Sequence, residues 1–463
     1  MALPTNLTFS ASAMPIDIAT NSAAALGSLA LLLNPPAEPP AIGIAPAPAS
    51  EPVTTLLGDW GGLRPKASEQ GLDFTVQYIA EGAGNVSGGV DQGAVYNGLL
   101  NLTADVDFEK LASWNGATFH AAMLYPHGRS LTEHYVNDLF TLSNLDASDD
   151  VHLFELWLEQ NFFDGVFSAR LGQMAVDQEF GFTEQGALFA NAAFGWFPIA
   201  GNNVTAPVYP QGAPGVRLKW QPTGQSFFQF AVTDGDVNPT DAAGNETNPH
   251  GVEFRFDEGA LLIGEAGYQW SLAEDTKPGM VKFGGWYHTE DSASMRWDDT
   301  GLSLADPLSS GNPATLGGNW GVYVAAEQVL WKENPEDKES AQGFGIFGRA
   351  GYAPADRNTL GLYLEGGVTR TGLLPGRDDD VCGIGVAYGR LSQDVRGLGT
   401  DANFYNGTTD PLPDYELVIE AEYQIQICPG CAVQPGVQYI IHPGGSAAID
   451  NALVLSLRTV LDF

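Results

Sequence analysis

The sequence predicts an all-β protein, a closed antiparallel transmembrane β-barrel of sixteen strands, with eighteen as the alternative, behind a disordered N-terminal arm. Three observations carry this. From Leu72 to Phe463 the chain repeats stretches of about eight to twelve residues with alternating polarity, separated by Gly, Asn, Asp and Pro clusters. Its 463 residues include 56 glycines and 11% aromatic residues but only 16% charged ones. That is too much glycine for a helical bundle, where each interior Gly costs about 0.5–1 kcal/mol relative to Ala, and too much aromatic content for a disordered acidic chain. The longest apolar run, Ser22 to Leu33, is shorter than the roughly 18 residues a spanning helix needs.

Taken in order, residues 1–57 are rich in Pro and Ala and lack periodicity, which reads as an export segment plus flexible arm. Ser22 to Leu33 is long enough for a secretory apolar region, and Ala45 to Ser50 offers small residues for cleavage. The flank is unusual, because Asp17 precedes the run and the first basic residue is Arg64. Residues 58–463 form the barrel domain. Leu72, Phe74, Val76 and Tyr78 oppose Asp73, Thr75, Gln77 and Glu81; Leu100, Leu102, Val106 and Phe108 oppose Asn101, Thr103, Asp105 and Asp107. Further strands are expected at 116–125, 153–161, 166–174, 214–220, 226–234, 250–257, 261–270, 280–288, 320–331, 343–352, 359–369 and 381–389. In the next, Tyr415, Leu417, Ile419, Tyr423, Ile425 and Ile427 alternate with Glu416, Glu420, Glu422, Gln424 and Gln426, which suits hydrocarbon on one side and a watery lumen on the other. Strands at 432–441 and 451–463 complete the series, the last with Leu453, Leu455, Leu457, Leu461 and Phe463 on one parity and Ser456, Arg458 and Asp462 on the other.

This makes seventeen strands, whereas a closed barrel with both ends on one side of the membrane needs an even number. Counting back from the C-terminus makes 289–319 and 390–414 extracellular, and counting forward makes 126–152 and 175–213 extracellular. The two counts collide between 214 and 270, so the surplus strand lies there. No long amphipathic helix is expected. A terminal Phe463 behind alternating apolar residues is the pattern that barrel-assembly machinery recognises, which points to the outer membrane of a Gram-negative cell.

With 20 Lys+Arg against 56 Asp+Glu, the formal net charge is −36. The chain has no basic run to neutralise phosphates, which argues against nucleic acid as a partner. Enzyme motifs such as GxSxG, HExxH, a P-loop or an EF-hand loop are missing, and His120, His127, His134, His152, His250, His288 and His442 show no metal-ligand spacing. Neither cofactor nor metal is expected. Three cysteines are too few for a disulfide scaffold, and Cys428-Pro-Gly-Cys431 reads as a small disulfide or two thiols in a hairpin turn.

Specific segments resemble the carbohydrate-selective porin (OprB) family. Gly58-Asp59-Trp60-Gly61-Gly62-Leu63-Arg64-Pro65, followed by Glu69-Gln70-Gly71, is similar to its opening motif. The similarity continues through Asp105 to Leu111, Leu156 to Phe162, Arg170 to Gln173, Tyr209 to Leu218, Gly285 to His288, Phe347 to Arg349, Pro375 to Asp380 and Gln434 to Gly445. This resemblance implies a sixteen-stranded, non-enzymatic barrel passing glucose and related monosaccharides by facilitated diffusion. Its partners would be mono- or disaccharide substrates, outer-membrane lipid, lipopolysaccharide and the assembly machinery, with a monomer and a trimer equally compatible.

A sugar permeates when the lumen replaces its hydration hydrogen bonds without gripping it. Strand parity picks out Glu155, Trp157, Glu159, Arg170, Arg217, Glu253, Arg255, Glu265 and Arg349 as substrate-binding, pore-lining candidates, with Glu365 and Arg458 beside them. Opposed arginine and carboxylate rows would set a transverse field, or would pair with one another and stiffen the wall. The long segment 175–213 is expected to fold inward and narrow the pore, carrying Glu179, Trp196 or Asn202 towards the substrate, the alternative being an external lid against lipopolysaccharide. The alternatives are a general or cation-preferring porin and a plugged adhesive or structural barrel.

Overall fold

A computed structural model describes residues 55–237, 239, 246–254, 259–272, 277–336 and 340–463. Its strands are β1 (Leu72–Gly89), β2 (Gly93–Asp107), β3 (Ala117–Gly128), β4 (His152–Phe162), β5 (Phe167–Met174), β6 (Ala213–Trp220), β7 (Ser226–Asp234), β8 (Ala260–Leu272) and β9 (Lys277–His288). After a small hairpin of β10 (Ser292–Asp298) and β11 (Pro313–Leu316) come β12 (Asn319–Lys332), β13 (Gly343–Tyr352), β14 (Leu360–Thr371), β15 (Val381–Leu391), β16 (Tyr415–Cys428), β17 (Cys431–Ile441) and β18 (Asp450–Asp462). All but β10 and β11 pair antiparallel with their neighbours, β9 with β12 and β1 with β18, closing a sixteen-stranded barrel.

The surplus strand is the one expected at 250–257. Its described part is irregular, because the Asn248 Oδ1 accepts the backbone N–H of both Val252 and Glu253 at 3.0 Å. A side chain that satisfies the backbone locally removes the donors a ladder would use. Residues 255–258 lie outside the described residues. A second correction is a helix within 390–414. Among the described residues the α-helices are α1 (Leu63–Glu69), α2 (Phe108–Ala112), the single turn α3 (Pro198–Gly201) and α4 (Gln393–Asn406). Helix α4 starts at Ser392, whose hydroxyl accepts the Val395 N–H. Its sequence carries no helical signal, because Val395 is its one buried residue, leaving no apolar stripe, and Gly397 and Gly399 weaken its propensity.

Alternation holds around the wall. Leu171, Phe283, Ile384, Leu455 and Leu457 face outward and are half or more uncovered, as residues bathed in hydrocarbon must be. The inward parity behaves differently. Two long connections, 129–151 and 175–212, turn back into the lumen and pack there. Phe140, Phe180, Phe189, Phe194, Trp196, Phe197 and Ile199 form one cluster with the inward-facing Tyr323, Phe347, Tyr363, Ala387 and Val418 of the wall. Glycine makes room for these rings: a Cβ at Gly385 of β15 would lie 2.7 Å from Phe194 Cζ, and one at Gly383 2.8 Å from Leu188 Cδ2.

At the seam, Arg64 of α1 donates to the Phe463 carbonyl (2.8 Å) and to the Phe74 carbonyl (3.2 Å), while its guanidinium lies over the Trp60 ring. This contact explains the crowding of Gly, Trp and Arg before β1. The entering segment latches the first strand to the last residue.

Candidate functional site

The inward loops do not float. Wall carboxylates hold them by their backbone N–H groups. Glu416 accepts from Leu139 (2.7 Å), Phe140 (2.9 Å) and Gly444 (2.8 Å). Glu420 accepts from Ala190 and Asn191, Glu265 from Gly181 (2.7 Å), Glu327 from Gln185 (3.2 Å) and Glu155 from Ala175 (3.1 Å). Charge-assisted bonds of this kind are about twice as strong as neutral ones. Wall amides add carbonyl contacts: Gln434 donates to Leu188 O and Gln438 to Leu142 O, both at 2.8 Å.

Glu416, Glu420 and Glu422 therefore do face inward, as their alternation indicates, but they are buried under the loops rather than bathed by lumen water. Arg349 and Glu365 are part of the same anchoring. Their side chains pair at 2.6 Å, and Arg349 also donates to the carbonyls of Gly181, Ala193 and Gly195. Glu265 is likewise enclosed, with Gln229 and Tyr323 donating to it and Lys282 3.9 Å away. At the seam Arg458 pairs with Glu81 at 2.7 Å and donates to Asn144 Oδ1 of the 129–151 loop.

The other candidates gather on β4, β5 and β6, towards the end of the barrel that carries the termini, where Glu159 and Arg170 keep partial contact with solvent while Glu155 and Arg217 are buried. Register sets Glu159 opposite Arg170, and Arg170 opposite Arg217. Glu179, from the inward segment 175–212, completes a square. Arg170 contacts Glu159 and Glu179 at 2.8 Å each, and Arg217 contacts the same two carboxylates at 2.9 Å each. Burial opposes ionisation of Glu179, but Arg170 and Arg217 outweigh it and hold its pKa down at about 2. Two guanidiniums and two carboxylates make the square formally neutral.

Trp157 extends the row. The Arg170 guanidinium lies 3.8 Å from its ring centre, and the His120 ring stacks at 4.9 Å and 20°. Because β3 and β5 flank β4, these partners approach from opposite sides, and Gly172 beside Trp157 leaves space for the indole. His120 in turn meets Asp105 at 2.7 Å and Glu155 at 3.7 Å. Asp105, with its side chain about half exposed (51%), is the wettest member.

Glu155, Trp157, Glu159, Arg170 and Arg217 thus come together. Glu253 stands exposed in the connection between β7 and β8, and Arg255 lies outside the described residues. From the inward segment, Glu179 reaches the square, Trp196 is buried against Phe197, and Asn202 donates to Leu139 O between the two loops. Asp105 and His120 were passed over. Their inward parity on β2 and β3 was readable, but which strand positions share a height with Arg170 follows only from the register.

A family model for the carbohydrate-selective porin, OprB family, matches residues 91–463. Porin B of Pseudomonas aeruginosa is 26% identical over 422 residues, covering 87% of this chain and 90% of that protein. The high-pH structure of Pseudomonas putida OprB superposes with a TM-score of 0.81 at 25% identity, covering 89% of this chain and 99% of that one. The low-pH structure of the same porin gives a TM-score of 0.56 at 19% identity over 89% and 100%, a likeness of fold.

Proposed function

The chain belongs to the carbohydrate-selective porin OprB family, and from that premise we propose that glucose and similar neutral monosaccharides cross the barrel past the square of Arg170, Arg217, Glu159 and Glu179. The protein is an outer-membrane carbohydrate porin, and its membership of this family implies a channel. The single observation behind the finer reading is that Arg170, Arg217, Glu159 and Glu179 contact one another as a closed, formally neutral set.

A neutral array suits a neutral solute. Each guanidinium offers five donors and each carboxylate several acceptor sites, so vicinal hydroxyls can exchange water for protein in small steps. Trp157, with Arg170 on one side and His120 on the other, serves to hold Arg170 flat against the wall rather than as an open platform for a pyranose ring. No covalent step is needed, and we read the protein as non-enzymatic. We also assign Phe463, bound by Arg64 in the finished barrel, as the terminal signal for barrel assembly.

Planar-bilayer recordings with increasing glucose test this. Sugar should block the single-channel current of the parent, and Arg170→Ala and Arg217→Ala should each weaken that block several-fold. Unchanged block and unchanged sugar flux in liposome swelling would overturn the assignment, and conductance with no sugar block at all would favour a general porin.

A further inference from the structure

The Cys428-Pro-Gly-Cys431 segment is the tightest turn of the barrel wall among the described residues. It joins β16 to β17 through two residues, and Gly430 takes φ +75°, the left-handed value that the third position of a type II turn requires after proline. Cys428 and Cys431 are register partners across this turn. A bulge between Gln426 and Cys428 shifts the alternation by one, so the two side chains fall on one side of the hairpin. Directly opposed residues of an antiparallel pair have Cα atoms about 4.5–5.5 Å apart, inside the span of about 4.4–6.8 Å that a disulfide bridges.

The turn lies at the end of the barrel that carries both termini and the shorter connections, which in an outer-membrane barrel is the periplasmic end. That compartment is oxidising. Cys428 is exposed and Cys431 partly so, whereas Cys382 sits on β15 with its thiol donating to Arg370 O.

From this geometry we infer that Cys428 and Cys431 are an oxidation site closed as a disulfide in the mature porin. One thiolate attacks the disulfide of a periplasmic acceptor, forming a mixed disulfide and expelling one acceptor thiolate. The second cysteine thiolate then displaces the other acceptor sulfur. The Cys428–Cys431 bond forms, the acceptor bond breaks, and two electrons and the two thiol protons leave with the reduced acceptor dithiol. The site has a structural address as well. Gly430 accepts the Asp462 N–H at its carbonyl, and Leu56 donates to the Asp462 carbonyl, so this turn is where the entering segment and the last strand meet. Closing the ring pins the hairpin that backs the barrel seam.

The test uses the full-length protein in outer-membrane vesicles, denatured with excess N-ethylmaleimide and no reductant, then digested and weighed. The peptide holding Cys428 and Cys431 should carry no alkyl group and be two hydrogens lighter than the dithiol, with Cys382 alkylated as the internal control. Dithiothreitol before alkylation should add two alkyl groups to it. Protein refolded with reduced thiols should close the same bond when given oxidised glutathione. Alkylation of both cysteines without reductant, or linkage of either to Cys382 or to another chain, would overturn the inference. Cys431→Ser guards against a thiol blocked in some other way, since Cys428 must then be alkylated without reductant if the pair was bonded, and its failure to react would overturn the inference.

Discussion

Glu420 of β16 and Asn191 of the inward segment 175–212 meet deep inside the barrel, both fully buried, with the carboxylate accepting the Asn191 backbone N–H at 3.2 Å and that of Ala190 at 2.6 Å. A strand that alternates for a watery lumen thus serves as a socket for a loop. The same device recurs at Glu416, Glu265, Glu327 and Glu155, and it fixes where the loops rest.

Loosening one socket should widen the path. Glu416→Ala strands three N–H donors, those of Leu139, Phe140 and Gly444. Each lost bond to a charged acceptor is worth about 1.5–3 kcal/mol. We expect higher and noisier single-channel conductance and admission of larger sugars in liposome swelling, with Glu416→Gln, which keeps an acceptor oxygen, falling between. Parent-like conductance in the alanine variant would rule out this anchoring role.

Arg349 is a stability test. It is buried, paired with Glu365, and donates to three loop carbonyls. Arg349→Ala leaves an uncompensated buried carboxylate, a loss of about 3–5 kcal/mol. The heat-induced shift of the folded barrel on a gel should move to clearly lower temperature, and Arg349→Ala with Glu365→Gln should recover part of it.

Charge selectivity should respond to Glu179. Glu179→Gln leaves two guanidiniums facing Glu159 alone, changing a neutral square to one with an excess positive charge. The reversal potential in a salt gradient should shift towards anions, and glucose block should fall. A reversal potential equal to the parent's would place the square outside the ion path.

The two loops should answer pH in opposite ways. Burial raises Asp146 to about 6, and burial together with the nearby Glu416 carboxylate pushes Asp138 well up. A raised value means that docking of 129–151 is fully stable below the ordinary Asp range and weakens as pH rises, for Asp146 through about 6. Glu179 is held down at about 2, so its contribution to docking 175–212 is present above the ordinary Glu value and fades as pH falls towards 2. Conductance recorded from about pH 3 to about pH 9 should be quietest between these limbs. Asp146→Asn should weaken the alkaline limb while leaving the acid limb in place.

Close packing predicts a steric failure too. In Gly385→Val the new side chain would occupy the space of the Phe194 ring, since even a Cβ lies 2.7 Å from its Cζ. Overpacking of this sort costs about 1–3 kcal/mol. Faster proteolysis of the 175–212 segment with the barrel still folded is the expected result.

Legibility in the sequence followed the range of the interaction. Alternation at Leu453 to Asp462 or Tyr415 to Gln426 is local, and a strand between oil and another environment must show it, so the barrel, its inward and outward parity and the even strand count were all within reach. The surplus strand at 250–257 failed because Asn248 captures two N–H groups, a choice that residue composition does not reveal. Helix α4 stayed hidden because it buries almost nothing.

The opening alternation, with few charges and abundant glycine, determined by itself that this chain is a membrane barrel with Glu155, Trp157, Glu159, Arg170 and Arg217 on its inner surface. Only the tertiary structure decided which inward groups meet solvent. Parity is a property of one strand, whereas burial of Glu416, Glu420, Glu265 and Arg349 depends on two loops that return from far along the chain to cover them. The excess of carboxylates accordingly has two jobs that sequence cannot separate: some, such as Glu420, accept backbone N–H groups of the inward loops, and others, such as Glu159 and Glu179, balance the arginines of β5 and β6.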